Sequence, residues 1–197
     1  MLPSGVLSES AARWLLVLHT ALGVAAVGAA THLVLWMRRY LRGEHGRRRA
    51  VRRFAWLALA LHAAALLAGN VMYPTYRVEV RTAYLENAGA ISADRAARQR
   101  ELERIAAREG APAPELAPAS ELVSRAARVA RWFDVKEHWV ALGLLASLGL
   151  VLLLAFWDPR TGSPAIAPAA LGLAVVVAGT VWCGAVIGVL TASWRAV

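Results

Sequence analysis

The chain of 197 residues is 58% hydrophobic, has a mean hydropathy of +0.48 and carries a formal charge of +9. A soluble domain of this length cannot bury so much apolar surface in one core, so that class is excluded. The single cysteine, Cys183, excludes an intramolecular disulfide, a c-type haem attachment motif and a cysteine zinc site.

Four apolar runs are each long enough to cross a bilayer as a helix, which takes about 20 residues. They cover residues 14–37, 54–73, 138–157 and 167–192, and none contains Asp, Glu, Lys or Arg. Tryptophans, which prefer the membrane interface, mark one side with Trp14, Trp139 and Trp194 and the other with Trp36, Trp56 and Trp157. The sequence therefore predicts an all-α polytopic membrane protein, a single four-transmembrane-helix bundle.

The connection between the first two runs is rich in arginine. Glu44 is its only acid, against Arg38, Arg39, Arg42, Arg47, Arg48, Arg49, Arg52 and Arg53. The positive-inside rule places this connection in the cytoplasm, so both termini and the segment 74–137 lie outside it. The first run exceeds the h-region of a signal peptide and is followed by this basic stop, so we expect a retained helix. The excess of arginine over lysine is typical of a high-GC bacterial genome, so we expect the membrane to be a bacterial inner membrane. Without a recognition motif beside the basic cluster, we expect no nucleic-acid partner.

The outer segment is expected to form a helical insertion between the second and third runs. Pro74 should break the second helix, and Tyr76, Val80 and Tyr84 predict a short amphipathic helix after it. Further on, Ser92 is the predicted N-cap of a charged helix that ends at Glu109 before Gly110, and 111–119 is a proline-rich linker. Ser120 then begins an amphipathic run, with no Gly or Pro before the third span, so one helix turns or runs straight into the membrane near Asp134.

Four histidines lie in or beside the apolar runs: His19, His32, His62 and His138. An imidazole in hydrocarbon is costly, so each is a functional-site hypothesis, and histidine is a common ligand of haem iron. At about 1.5 Å per residue, His32 lies about 6 Å from the inner boundary and His62 about 9 Å from it. Because these depths match, His32 and His62 are the best predicted pair of axial ligands for haem b.

His19 and His138 form a second predicted pair near the outer side. Their depths match less well, because His19 lies about 8 Å inside the boundary and His138 lies at it. The 13-residue step from His19 to His32 leaves them about 140° apart on the helix, so each needs its own partner. For the first pair, His32 and His62, small neighbours such as Gly28 and Gly69 leave room for a flat macrocycle.

Two functions from different classes follow. The first is a small b-type haem protein that passes electrons as a subunit of a membrane redox complex. The alternative is a non-catalytic accessory or assembly subunit bound to another membrane protein, with histidines that act as interhelical hydrogen-bonding groups. Transport is disfavoured, because the four helices show no internal repeat and no broken span. The sequence contains no nucleophile triad and no phosphate-binding loop. It leaves open whether the protein is an enzyme.

Two polar groups lie at the outer membrane edge. Asn70, Tyr73 and Arg77 follow the second run and are placed to bind a quinone headgroup or a haem propionate, or to snorkel to the interface. Lys136, the only lysine in the chain, and Glu137 lie at the start of the third run. They form either a solvated helix entrance with paired charges or the edge of a site.

The fourth run carries small residues at four-residue spacing. Thr180, Gly184 and Gly188 follow the small-xxx-small pattern of close helix contacts. We expect this stripe to pack within the bundle, the alternative being contact with a second copy of the chain.

Overall fold

The computed structural model describes residues 6–193, which form helices and connections with no strand. The α-helices are α1 (Glu9–Leu41), α2 (Arg48–Thr75), α3 (Ala88–Glu109), α4 (Ala119–Phe156) and α5 (Ala167–Ser193). A π-helical segment, Tyr76–Leu85, continues α2, and short 3-10 helices, His45–Arg47 and Pro164–Ile166, precede α2 and α5. The predicted interface marker Trp194 lies outside the described residues.

Within residues 6–193, four helices are long and apolar enough to cross a membrane: α1, α2 with its continuation, α4 and α5. Each contains one of the apolar runs found in the sequence, so the predicted all-α architecture with four spans is confirmed. They pack in a ring in the order α1, α2, α4, α5, and each contacts its two neighbours. Leu33, Leu150 and Val177 fill the middle of this ring. Trp182 on α5 also donates its indole N–H to Thr31 Oγ1 on α1, at 3.1 Å.

One carboxylate holds together the arginine-rich end of the bundle, where α1 connects to α2. Asp158, between α4 and α5, is 13% exposed in its side chain and pairs with Arg48 at 3.1 Å and Arg160 at 2.9 Å. The Tyr40 hydroxyl, near the end of α1, donates to it at 3.4 Å. Hydrogen bonds from the side chain and backbone of Arg160, with the nearby charge of Arg48, hold the pKa of Asp158 well below its usual range. Asp158 therefore joins the ends of α1 and α2 to the α4–α5 connection.

Replacing Asp158 with Asn is expected to lower the melting temperature at neutral pH, because an amide cannot pair with the two arginines. The folded-state pKa is lowered, so this stabilisation is present above the unfolded-state value of about 3.9 and is lost as the pH falls below it. The melting-temperature difference between wild type and Asp158→Asn should thus be steady near neutral pH and shrink below about pH 4. Circular dichroism in non-ionic detergent measures both proteins, and a difference that grows on acidification would contradict the expectation.

At the opposite end, called the distal end, Pro74 does not break α2, so the predicted break is wrong. Proline lacks the N–H that bonds four residues back, and here the chain continues into the wider i→i+5 turns of the π-helical segment. In this register Arg81 Nε donates to Glu86, five residues on, at 2.7 Å. In an α-helix, residues five apart lie about 140° apart around the axis, so the wider turns are what bring Arg81 and Glu86 to the same side. The predicted stripe of Tyr76, Val80 and Tyr84 is also divided. Val80 and Tyr84 pack against the buried side chains of Leu85 and Ile91, whereas Tyr76 stacks on Phe133 of α4.

The helix α3 begins earlier than predicted. Its N-cap is Asn87, whose side chain accepts the Ala90 N–H at 3.1 Å, so the prediction that Ser92 begins the helix is wrong. Asn87 is as good a capping residue and lies five residues earlier. The predicted end at Glu109 is confirmed, and Gly110 follows it in the left-handed region at φ 67°.

The helix α4 runs without interruption from the distal end into the bundle. Its 38 residues extend about 57 Å, nearly twice the roughly 30 Å hydrocarbon thickness of a bilayer. Its first turns therefore project beyond the bundle, where they pack on α3 and the π-helical segment through Leu85, Ile91, Ala126 and Ala130. We call the π-helical segment, α3, residues 111–118 and these first turns of α4 the distal platform.

Candidate functional site

His32 lies on the outward surface of α1. Its Nδ1 donates to the Gly28 carbonyl, one turn back, at 2.8 Å. The ring stacks on Phe54 of α2, with 5.4 Å between ring centroids and 14° between planes. His32 is exposed and therefore faces lipid rather than the interior of the ring of helices.

His62 has the opposite environment, since it is only 3% exposed and lies where α2 meets α4 and α5. A Cβ on Gly143 of α4 would lie 2.5 Å from His62 Cε1 and would overlap Thr180 Oγ1 of α5. The absence of a side chain at Gly143 is therefore what lets these three helices come together. His62 Nδ1 is buried and has no hydrogen-bond partner among the described residues.

His19 links α1 to α2. Its Nδ1 donates to the Ala65 carbonyl at 2.9 Å. A Cβ on Gly69 would lie 3.3 Å from His19 Cε1, so this glycine allows the ring to approach α2 closely. Ala65 is one helical turn from His62 along α2. The pairing of α1 with α2 therefore brings His19, rather than His32, to the level of His62.

The ionisable residues at the start of the third apolar run point in different directions. Glu137 and His138 are exposed, and His138 Nδ1 donates to the Asp134 carbonyl within α4, at 2.8 Å. Lys136 instead turns towards α5, with Nζ 3.5 Å from where a Cβ on Gly188 would lie. The structure therefore does not bring His138 to His19, which is bonded to α2.

The structure does not bring together the three residues predicted to bind a quinone headgroup or a haem propionate, Asn70, Tyr73 and Arg77. Tyr73 and Tyr76 stack on Phe133 of α4, with ring centroids 6.2 and 4.0 Å from that of Phe133. Asn70 and Arg77 are exposed and stand outside this aromatic stack. The stack packs the end of α2 and the beginning of the π-helical segment against α4.

A bidentate ion pair at the distal end was not predicted from the sequence. Arg81 donates from Nη1 and Nη2 to the two carboxylate oxygens of Asp134, at 2.7 and 3.3 Å. The Arg81 side chain is 23% exposed and also bonds Glu86. Positions 81 and 134 belong to different helices and share no periodic pattern, so only the docking of the π-helical segment on α4 reveals the pair.

The small-residue stripe of α5 packs within the bundle, as predicted. Gly184 would place a Cβ 3.5 Å from Val140 Cγ2, and Gly188 a Cβ 3.5 Å from Lys136 Nζ. Thr180, four residues before Gly184 in α5, lies against Gly143 of α4. The stripe therefore forms the α4–α5 contact and does not need a second copy of the chain.

The residues present do not form a bis-histidine haem site with His32 and His62 as ligands. His32 faces outward, and His62 is wedged between α4 and α5 without room for a macrocycle at Gly143. Within residues 6–193, no group of three or more His, Cys, Asp or Glu side chains is placed to hold a metal ion. Haem binding stays a prediction, with the unpartnered Nδ1 of His62 in its favour.

The fold and these buried contacts define a polytopic, all-α membrane protein with a four-helix bundle. No protein-family model, curated protein or solved structure matches the chain.

Proposed function

We propose that this protein is an accessory or assembly subunit of a membrane complex, whose bundle holds the distal platform at a fixed position for a partner membrane protein. The observation that carries the proposal is the continuity of α4, a single helix that belongs to both the bundle and the platform. A continuous helix transmits position and orientation, whereas a flexible linker does not.

The contacts that fasten the platform support the same proposal. The Arg81–Asp134 pair joins the π-helical segment to α4. Arg95 of α3 donates to the carbonyls of Ala117 and Leu116, at 2.7 and 3.0 Å, and so holds the connection between α3 and α4 against α3. The platform is thus preorganised, which lowers the entropic cost of binding a partner.

In this function the histidines of the bundle are structural. The His19–Ala65 hydrogen bond joins two helices, and such bonds contribute about 0.6 to 2 kcal/mol in membrane bundles. His62 fills the space that Gly143 opens between three helices. Neither role needs a bound cofactor.

We propose further that the arginine-rich end faces the cytoplasm and the distal platform lies outside it, on a bacterial inner membrane. The arginines of the α1–α2 connection support this orientation through the positive-inside rule.

Site-specific photocrosslinking in native membranes tests the accessory-subunit proposal. A photoreactive amino acid at exposed α3 positions, Ala97 and Arg104, should give a discrete adduct with another polypeptide. The same group at Leu145, on the lipid-facing surface of α4, serves as the control and should give none. Absence of an adduct from both α3 positions, or equal adducts from Leu145, would overturn the proposal.

A b-type haem protein is the second candidate, because the Nδ1 of His62 is buried and has no hydrogen-bond partner among the described residues. The visible spectrum of the purified protein, oxidised and then reduced with dithionite, separates the two candidates. The accessory-subunit proposal expects no Soret band after expression with adequate haem. A Soret band that disappears in His62→Ala would replace it with the haem function, and loss of that band in His32→Ala as well would support the ligand pair predicted from depth.

A further inference from the structure

A groove of about 1010 Å³ lies on the outer surface of α2 at the arginine-rich end. The part of the groove nearest the beginning of α2 is lined by arginines, and the part further along the helix by two apolar side chains: Arg48, Arg49, Arg52, Arg53, Trp56 and Leu57. We call this surface the arginine groove. It lies at the end of the molecule opposite the distal platform.

Arg49, Arg52 and Arg53, three of the four arginines of the groove, have no acidic partner among the described residues, whereas Arg48 pairs with Asp158. The two acids at this end are Glu44 and Asp158. Glu44 already bonds Arg39 and Arg47, and the hydrogen bond from Arg39 above all lowers its pKa. Asp158 is occupied by Arg48 and Arg160. Within the described chain, no carboxylate is left to pair with the other three arginines of the groove.

The vertical arrangement matches a phospholipid. Arg49 precedes Trp56 by seven residues, or about 10 Å along the helix axis, and so lies closer to the beginning of α2. Trp56 and Leu57 are 57% and 49% exposed, so they offer an apolar surface below the charges. Tryptophan prefers the level between headgroups and hydrocarbon, which places the arginines at the level of lipid phosphates.

The local chemistry favours a phosphate rather than a carboxylate. Arginine presents a planar fork of donors that fits phosphate oxygens, and exposed pairs at i and i+4, such as Arg49 and Arg53, offer two forks on one face. No side chain caps the beginning of α2, so the partial positive charge of the helix end adds to the same field.

We propose that the arginine groove is a binding site for an acidic phospholipid, with the headgroup phosphate bound by Arg49, Arg52 and Arg53 and an acyl chain lying on Trp56 and Leu57. Basic pockets at the membrane surface of a helical bundle bind such headgroups through the same combination of charge and apolar contact. The apolar lower half distinguishes this occupant from a soluble anion.

Native mass spectrometry of the detergent-purified full chain tests the site. The wild type should bind phosphatidylglycerol at least about tenfold more tightly than phosphatidylcholine with the same acyl chains, since one lost charge-assisted contact corresponds to about that factor. Arg49→Gln/Arg53→Gln should lose this preference. Arg38→Gln/Arg42→Gln is the matched control, because it removes two exposed arginines at the same spacing and the same end but outside the groove.

The control double variant should stay within about twofold of the wild type. If both double variants lose the preference for phosphatidylglycerol equally, the preference comes from the overall positive charge and the proposal is overturned. Equal binding of the two lipids by the wild type would also overturn it. Competition by inorganic phosphate at millimolar concentration would assign the groove to a soluble anion. If the glutamine variant does not fold, Arg49→Lys/Arg53→Lys keeps the charge but loses the fork, and wild-type affinity in it would also overturn the proposal.

Discussion

The substitution Gly143→Ala is expected to destabilise the bundle by about 3 kcal/mol, although it adds one methyl group. The new Cβ would overlap Thr180 Oγ1 and lie 2.5 Å from His62 Cε1. Both neighbours are buried between helices, and the Thr180 hydroxyl is bonded to the Val177 carbonyl. The only relief is for α4 to move away from α2 and α5. For a chain of this size the melting temperature should fall by roughly 6 to 12 °C.

The matched control is Gly149→Ala, six residues further along α4. A Cβ there meets no atom within 4 Å. Alanine is a better helix former than glycine by up to about 1 kcal/mol, so this variant should be neutral or slightly stabilised. Thermal unfolding in detergent, followed by circular dichroism, measures both variants. Equal melting temperatures would mean that Gly143 does not set the approach of these helices.

The substitution Arg81→Ala is expected to loosen the distal platform while leaving the bundle folded. It removes the bidentate pair with Asp134 and the bond to Glu86. Hydrogen bonds to charged groups contribute about 1.5 to 3 kcal/mol each when shielded, and partial exposure reduces this, so we expect a loss of about 2 kcal/mol. Amide exchange in α3 should then accelerate roughly 30-fold.

Hydrogen exchange measured by mass spectrometry distinguishes this local effect from global unfolding. Exchange in the spanning parts of α1 and α5 should not change in Arg81→Ala. Arg77→Ala is the control, since Arg77 is an exposed arginine of the same π-helical segment. If the two variants accelerate exchange in α3 equally, the Arg81–Asp134 pair does not hold the platform.

The histidines show how far depth along a helix predicts a site. Counting residues from the interface tryptophans places His32 and His62 at similar levels, but in the structure His32 stacks on Phe54, eight residues from His62 along α2, and His19 lies at the level of His62. Depth contains no information about which face of the helix turns inward, and the structure turns His32 towards lipid and His62 towards α4 and α5. His19 reaches α2 instead, because Ala65 and Gly69 leave it a carbonyl and space.

Two local features at the distal end were beyond sequence patterns for a different reason. Pro74 usually ends a helix, but a wider helical turn accommodates it here, and the resulting π register brings Arg81 to Glu86. The beginning of α3 was misplaced because Asn87 and Ser92 are both competent caps. Contacts with the rest of the platform, including the burial of Ile91, select the earlier one.

The membrane class, the four apolar helices and the arginine-rich connection between the first two can all be predicted from the order of the amino acids alone. These properties depend on local hydropathy and charge, which each segment carries wherever it is placed. The contacts between distant residues become apparent only in the folded bundle: His62 with Gly143 and Thr180, His19 with Ala65, and Arg81 with Asp134. These contacts depend on how each helix is rotated about its axis and on how closely neighbouring helices approach. Side-chain packing across two or three helices sets both, and no segment encodes them alone.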